Sequence, residues 1–194
     1  MSEKLAVNGI LIAGASEQRL LITKVVVDES SQLPYIQDAQ VEVNGVQFAP
    51  IPLDRIDPQN PFNWITSGLE INCGQLCSLT VQYEQQEIRG KTMVPPTIEP
   101  VSIYNATISW RGDSSIRDYS IWVNDVFFSY IPETTFDVSR RYFNFHPGRY
   151  RVRILAFDEN YSRTITSDAA SIGIEGAYGL FASACAWEDS VDLK

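Results

Sequence analysis

Few residues of this chain could do chemistry, and its single histidine is the first of them. His146 is the only histidine in the 194-residue sequence. A Ser-His-Asp or Cys-His mechanism would have to use its imidazole as the general base. His146 stands in a turn with Pro147 and Gly148, where a surface or capping role is the commoner use of the residue. We therefore predict no catalytic centre and no enzyme activity.

A second possibility for chemistry is a set of carboxylates. Asp158, Glu159 and Asn160 follow a predicted strand and could offer oxygen ligands to calcium, but the spaced loop of an EF-hand is absent. A polar turn is the preferred interpretation, and we predict neither a metal nor a cofactor. The alternative function is a carbohydrate-active or other hydrolase, in which Asp113, Asp158 and Glu159 converge in a cleft between two domains.

The tetrapeptide Arg111-Gly112-Asp113-Ser114 matches the sequence that integrins bind. A match of four residues arises often by chance. A loop that contains a glycine and solvated charges explains it as well, and we prefer that interpretation. The sequence leaves open whether Arg111-Gly112-Asp113 has any binding role.

The three cysteines leave at least one thiol unpaired. Cys73 and Cys77 flank a predicted tight turn and could lie within disulfide distance of each other. An odd and small number of cysteines is not typical of a disulfide scaffold. Whether Cys73 and Cys77 form a bridge therefore remains open, and metal binding by these two thiols alone is not expected, since no second ligand pair follows.

The charge of the chain bears on its partners. The sequence carries 15 basic and 24 acidic residues, for a formal net charge of -9. A negative surface repels phosphate backbones, so nucleic acid is not an expected partner. No apolar run approaches the ~20 residues that span a bilayer, and no signal peptide opens the sequence. We expect either a cytoplasmic chain or an exported one whose leader is absent from this sequence.

Alternating patterns indicate the elements that would position any site. Residues 149–158 alternate between two faces, as a strand with one buried side does. One face carries Tyr150, Val152, Ile154 and Ala156, and the other carries Arg149, Arg151 and Arg153. Asn44-Gly45 is a strong hairpin signal between two further strands. No sustained helical period occurs. Short strands with turns between them predict an all-β fold.

A proline-rich segment divides the pattern into two halves. Pro95, Pro96 and Pro100 favour an extended connector, after which the alternation restarts. We predict two tandem antiparallel β-sandwiches of the immunoglobulin-like or fibronectin III-like kind, over residues 1–95 and 99–194. The long apolar closing segment, residues 172–187, either completes the second sheet or bridges the two halves.

The second half resembles a fibronectin type III domain. The residues that carry the resemblance lie in three predicted strands: 108–110, 118–123 and 147–156. The resemblance implies that Trp110 fills the core between two sheets and that Tyr150 anchors a neighbouring corner through its hydroxyl. The first half resembles a carboxypeptidase-regulatory or transthyretin-like sandwich through residues 36–43, 69–74 and 79–81.

The whole chain is similar, more loosely, to outer-membrane lipoproteins of Bacteroidetes type that carry a domain of unknown function numbered 4249. The opening strand, residues 4–9, and the glycine-rich closing strand, residues 174–181, carry this similarity. It implies a periplasmic or cell-surface accessory protein, with an outer-membrane nutrient receptor as partner. The family's lipid-bearing cysteine is not matched here, so a lipid anchor would lie outside this chain.

A candidate partner-binding face follows from the alternation in the second half. Trp122 points outward beside Arg151 and Arg153 on the neighbouring strand, where a guanidinium could stack on the indole. Aromatic residues of one connection extend the candidate site: Phe127, Phe128 and Tyr130. The preferred interpretation of Trp122 and the arginines is a structural ladder, and the alternative is a patch for a protein or glycan. We predict a non-enzymatic binding module, with a purely structural spacer as a further alternative.

Overall fold

The computed structural model describes residues 4–25, 34–143 and 145–194, without the side chains of residues 100, 101, 129 and 130. The first half contains β1 (Leu5–Ile12), β2 (Gln18–Lys24), β3 (Gln40–Val43), β4 (Val46–Gln47), β5 (Ala49–Pro50), a 3-10 turn (Leu53–Arg55), β6 (Trp64–Thr66), β7 (Leu76–Tyr83) and β8 (Gln86–Met93). The second half contains β9 (Pro100–Tyr104), β10 (Thr107–Trp110), β11 (Tyr119–Val123), β12 (Val126–Ile131), β13 (Thr135–Asp137), α1 (Val138–Arg141), β14 (Gly148–Phe157), α2 (Glu159–Thr166), β15 (Ser171–Ile172), β16 (Ile174–Glu175) and β17 (Tyr178–Leu193).

The strands form three sheets. The largest has nine strands in the order β12-β11-β14-β17-β1-β2-β6-β5, with β15 beside β17. A three-stranded sheet has the order β13-β10-β9, and a five-stranded sheet has the order β16-β8-β7-β3-β4. Pairing is antiparallel except where β1 and β15 each lie parallel to β17. The predicted all-β fold of antiparallel sheets is confirmed.

The alternation in β14 decides which side of the large sheet is buried. Tyr150 is 7% exposed, and Val152, Ile154 and Ala156 are fully buried. Arg149 and Arg151 are exposed on the opposite face. The period of two therefore describes the burial of residues 149–153, whereas residues 154–157 are buried on both faces because Leu155 and Phe157 pack in a separate apolar cluster.

The first core lies between the five-stranded sheet and the β1–β2 end of the large sheet. Its fully buried residues include Leu5, Leu11, Leu20, Ile22 and Ile88. The predicted hairpin joins β3 to β4: Val43 pairs with Val46 across Asn44 and Gly45. Both turn residues have positive φ, 51° and 79°, as a type I′ turn requires.

The second core lies between the three-stranded sheet and the β11–β14 end of the large sheet. Trp110 is 3% exposed and meets the Tyr119 ring edge-on at 5.1 Å, so the expected core tryptophan is confirmed. The Tyr150 hydroxyl donates to the His146 carbonyl at 2.7 Å and accepts from the His146 amide at 3.1 Å. The corner that the fibronectin resemblance implied is therefore present.

One strand, β17, belongs to both halves. Its residues 178–184 pair with β1, and its residues 184–193 pair with β14. Phe181 and Cys185 pack in the first core, while Val191 and Leu193 pack in the second. Residues 171–185 come after the proline-rich segment in sequence, yet they contribute to the first core. The closing segment bridges the two halves.

The helix α2 is an element that the sequence analysis did not predict. Asp158 stands at its N-cap, where the side chain accepts a hydrogen bond from the Tyr161 amide at 2.9 Å. The helix is eight residues long and mostly polar, so it offered no sustained apolar period. No helix in the described ranges is long and apolar enough to span a bilayer.

A disulfide joins Cys73 to Cys185 across a sequence separation of 112 residues. The bridge considered between Cys73 and Cys77 is not formed, because Cys77 lies inside β7 with its side chain buried in the first core. Burial raises the pKa of the Cys77 thiol, which keeps it protonated and unreactive. The disulfide ties the loop before β7 to the strand that both halves share.

Breaking the disulfide should destabilise the chain strongly. A cross-link that closes a loop of about 100 residues contributes roughly 4.7 kcal/mol in the chain-entropy treatment. We expect Cys185→Ala to lower the free energy of unfolding by several kcal/mol in urea titrations. Cys77→Ala, which removes a thiol but no cross-link, is the matched control and should cost less. Equal losses in the two variants, or a Cys73–Cys77 peptide in non-reducing mass maps, would contradict the pairing.

The tyrosine corner gives a second test. Tyr150→Phe removes the hydroxyl that bonds to the backbone amide and carbonyl of His146. We expect this to lower the free energy of unfolding by about 1 kcal/mol. Tyr104→Phe is the control, since Tyr104 is 74% exposed. Chemical denaturation of both variants measures the difference, and a Tyr150→Phe protein as stable as Tyr104→Phe would show that the corner contributes nothing.

Candidate functional site

The candidate site is the outer side of the large sheet where β12, β11, β14 and β17 lie side by side. Trp122 pairs with Phe127 of β12 on one side and with Arg153 of β14 on the other. Arg153 in turn pairs with Glu188 of β17. Because paired residues of adjacent strands share a face, these four side chains form one row across the sheet. We call this row the outer aromatic face.

The aromatic end of this face is partly open to solvent. The rings of Trp122 and Phe127 lie 4.6 Å apart between centroids, at an angle of 35°. The Phe127 side chain is 53% exposed, although it is apolar. Trp122 is half-buried and packs beside Leu155, Phe157 and the small residues of β17 in a third apolar cluster. Phe127 is therefore the aromatic side chain of this face that is most open to solvent.

The basic end of the face is a charge ladder. The Arg153 guanidinium lies 5.6 Å from the centre of the Trp122 ring. Glu188 lies 3.8 Å from both Arg153 and Arg151, and Arg151 also pairs with Asp125 at 3.1 Å. These pairs are exposed, so each contributes little to stability. The ladder that the sequence analysis preferred is present, and it leaves each arginine with a carboxylate neighbour.

Two aromatic residues predicted for the site are placed differently by the structure. Phe128 lies on the opposite side of β12, where its ring packs 5.0 Å from that of Phe136 in the second core. The reason is the alternation of the strand, which puts consecutive residues on opposite faces. Including Phe128 in the outer patch was wrong. The side chain of Tyr130 lies outside the described residues.

The Arg111-Gly112-Asp113 loop follows β10 and is held by local contacts. The Asp113 carboxylate accepts from the amide and the hydroxyl of Ser115, at 2.8 and 2.6 Å, and these bonds lower the pKa of Asp113. A Cβ placed on Gly112 would lie 2.5 Å from Cγ2 of Thr134. A larger residue at position 112 would therefore overlap Thr134, and this packing favours the structural interpretation of the tetrapeptide.

The three carboxylates of the hydrolase alternative do not line one cavity. A cleft of about 320 Å³ between the two halves is lined by residues that include Asp158, Glu159 and Arg117. Asp113 lines a separate cavity of about 110 Å³, together with Glu99 and Arg111. Neither cavity brings the whole predicted triad together.

Asp158 is the most unusual of these carboxylates. It is 5% exposed, and its side chain contacts the hydroxyls of Thr92 and Ser183. Burial raises the pKa of Asp158, and its hydrogen bonds with Thr92, Tyr161 and Ser183 oppose that rise without overcoming it. Sequence reasoning missed these partners, which lie 66 and 25 residues away. In the sequence, only the N-cap spacing from Asp158 to Tyr161 could have indicated a hydrogen-bond partner for this carboxyl group.

Among the described residues, none forms a hydrogen bond or ion pair with the His146 imidazole. His146 is exposed, and its backbone rather than its imidazole bonds to Tyr150. Within the described part of the chain, no three or more His, Cys, Asp or Glu residues come together in a way that could hold a metal ion.

Comparisons with known proteins add little to this geometry. No family model matches the chain, and no curated protein matches it. A solved structure of the fibronectin(III)-like modules of Clostridium thermocellum CbhA aligns with 97% of this chain and 92% of its own, at 12% identity and a TM-score of 0.29. A likeness at this TM-score says nothing about function.

The packing of Gly112 gives a test of the loop's role. Gly112→Ala should lower the free energy of unfolding by about 1–3 kcal/mol, because the new methyl overlaps Thr134. Adding Thr134→Ser removes the Cγ2 methyl and should restore most of this loss. Thermal unfolding of the single and double variants measures both effects. A single variant as stable as the wild type would show that the glycine is not required by packing.

Proposed function

We propose that this chain is a non-catalytic accessory module of an exported bacterial surface or periplasmic protein, which binds a protein or glycan partner through the outer aromatic face. One observation carries the proposal: Phe127 is 53% exposed, and its ring lies against that of Trp122 rather than in either core. Aromatic residues and arginine are enriched at the energetic centres of protein interfaces. The face combines both with a neighbouring carboxylate, Glu188.

The pairing of charges on this face suits binding by a molecule of low charge. Arg151 and Arg153 lie beside Asp125 and Glu188, so the face is nearly balanced although the chain as a whole carries a net charge of -9. The overall charge disfavours nucleic acid and anionic lipid as partners. The aromatic and charged groups of this face therefore fit a protein surface, or a sugar ring that stacks on Phe127.

The disulfide supports export. Disulfides persist in oxidising compartments and are rare in the cytosol. The Cys73–Cys185 bridge is therefore expected in a periplasmic or surface protein. The outer-membrane lipoprotein family, with a nutrient receptor as partner, remains our proposal for the protein's context and rests on the sequence resemblance.

The hydrolase alternative is less well supported. Both carboxylate oxygens of Asp158 are occupied by contacts within the fold, with the Tyr161 amide on one and the Thr92 and Ser183 hydroxyls on the other. A general acid or base needs a free position toward its substrate. A rigid spacer is the second candidate function, and the continuous strand shared by both cores favours it.

A binding experiment separates a module from a spacer. The wild type, Phe127→Ala and Tyr104→Ala would each be immobilised and exposed to a glycan array and to a cell-envelope extract of the source organism. Tyr104 is 74% exposed on a different sheet, so it is the matched control for loss of an exposed ring. We expect a ligand retained by the wild type and Tyr104→Ala and weakened at least tenfold by Phe127→Ala, the loss typical of an interface hot spot.

Other outcomes would argue against the proposal. A ligand bound equally by all three proteins would place its site away from the outer aromatic face. Absence of any ligand for the wild type would favour the spacer. Unfolding midpoints of the three proteins are measured alongside, and we expect Phe127→Ala to unfold within a few degrees of the wild type because its ring is half in solvent.

A further inference from the structure

Asp158 occupies the point where the two halves of the chain meet. It follows β14 of the second half and caps α2, and its side chain contacts Thr92 of β8 and Ser183 of β17. Among the described residues it is the one buried carboxylate. None of the described cations forms an ion pair with it, so its hydrogen bonds with the Thr92 and Ser183 hydroxyls and the Tyr161 amide must satisfy it. We call the contact of these three side chains the Asp158 junction.

The hydrogen bonds of the junction form a closed triangle. The Thr92 hydroxyl contacts Oδ2 of Asp158 and lies 2.9 Å from the Ser183 hydroxyl, and that hydroxyl lies 3.3 Å from the same Oδ2. Each of the three contacts needs one proton. The two hydroxyls supply two. A proton on the carboxyl supplies the third, and each oxygen then donates one bond and accepts one.

An ionised Asp158 would leave the triangle incomplete. The two hydroxyl protons would then serve three contacts, so one contact would lack a proton: either the 2.9 Å contact between Thr92 and Ser183 or the 3.3 Å contact between Ser183 and Asp158. A buried polar contact without its proton is costly. The second carboxyl oxygen, Oδ1, accepts from the Tyr161 amide at 2.9 Å in either state. The cap on α2 therefore does not require the charge.

We propose that Asp158 carries a proton in the folded chain and that its loss loosens the Asp158 junction, so that the contact between the two cores is sensitive to pH. The proposal does not depend on the binding function of the outer aromatic face. Asp158 takes no part in that face. Deprotonation would weaken the contact of α2 and the β14 end with β8, beside the cleft of about 320 Å³.

The charged groups around the junction are at the surface. Lys91, Arg117 and Glu159 line the openings beside Asp158, from β8, the loop before β11 and α2 respectively. Arg163 lies on α2, and Asp118 lies on the loop before β11. Lys91 and Arg117 would favour the charged form of Asp158 and Glu159 would disfavour it, but all three are exposed and water screens them. Burial acts on Asp158 itself and raises its pKa.

The direction of the pH effect follows from this. The folded chain holds the Asp158 proton more strongly than the unfolded chain, whose aspartates have a pKa of about 3.9. Stability contributed by Asp158 is therefore greatest in acid, and it falls as pH rises from the unfolded value toward the higher folded value. In that window each pH unit changes the unfolding equilibrium constant by up to about tenfold.

Asp158→Asn is the variant that tests the junction. Its amide oxygen can keep the Tyr161 bond, and its NH₂ group can donate to Thr92 and Ser183 at every pH. We expect the ratio of the unfolding constants, wild type over Asp158→Asn, to rise with pH by up to about tenfold per unit within the window. Asp168→Asn, at an exposed position, is the control and should leave the pH profile unchanged. A ratio that is flat or falls with pH overturns the proposal.

A second measurement uses the unmodified protein and decides the matter even if Asp158→Asn does not fold. The side-chain carboxyl carbons of Asp158, Asp113 and Asp137 are titrated by NMR in one sample. Hydrogen bonds from Ser115 and Ser139 lower the pKa values of Asp113 and Asp137, so these residues are internal references. The proposal expects the Asp158 midpoint well above both. A midpoint at or below theirs overturns it.

Discussion

The structure depends on one strand that pairs with different partners along its length. From Tyr178 to Ala184, β17 extends the sheet of the first core beside β1, and from Ala184 to Leu193 it completes the sheet of the second core beside β14. The two ladders meet at Ala184, which pairs with Ile12 of β1 and with Phe157 of β14. This strand therefore connects the cores in addition to the proline-rich segment. Glu188 of the outer aromatic face and Ser183 of the Asp158 junction both belong to it.

The polar groups of the outer aromatic face and those of the Asp158 junction find their partners in different ways. On the outer aromatic face, arginines and carboxylates pair in water, where each pair contributes little to stability. At the Asp158 junction, the polar atoms are buried and bond to one another. Buried networks fix a geometry because their alternatives are costly. The junction therefore contributes more than the ion pairs do to holding the two layers in register.

Local patterns predicted the parts of the fold that depend on neighbours in sequence. The start of β14 and the Asn44-Gly45 turn are set by period and turn chemistry, the core position of Trp110 was implied by the fibronectin resemblance, and all three are confirmed. The parallel pairing of β1 with β17 and the Cys73–Cys185 bridge join residues more than 100 positions apart, and no local pattern specifies such partners. The candidate face was predicted through Trp122 and Arg153, whereas Phe128 was included in it because its segment was interpreted as a connection, and the structure has a strand there.

The parallel pairing of β1 with β17 also governs how the chain can reach its native state. Ala6 lies opposite Tyr178, so β1 can pair with β17 only after the residues between them have been synthesised. Such distant contacts slow folding because loop entropy is lost before the contact forms. The first core therefore cannot close before β17 has been synthesised, and the unpaired edge of β1 must be kept from other chains until then.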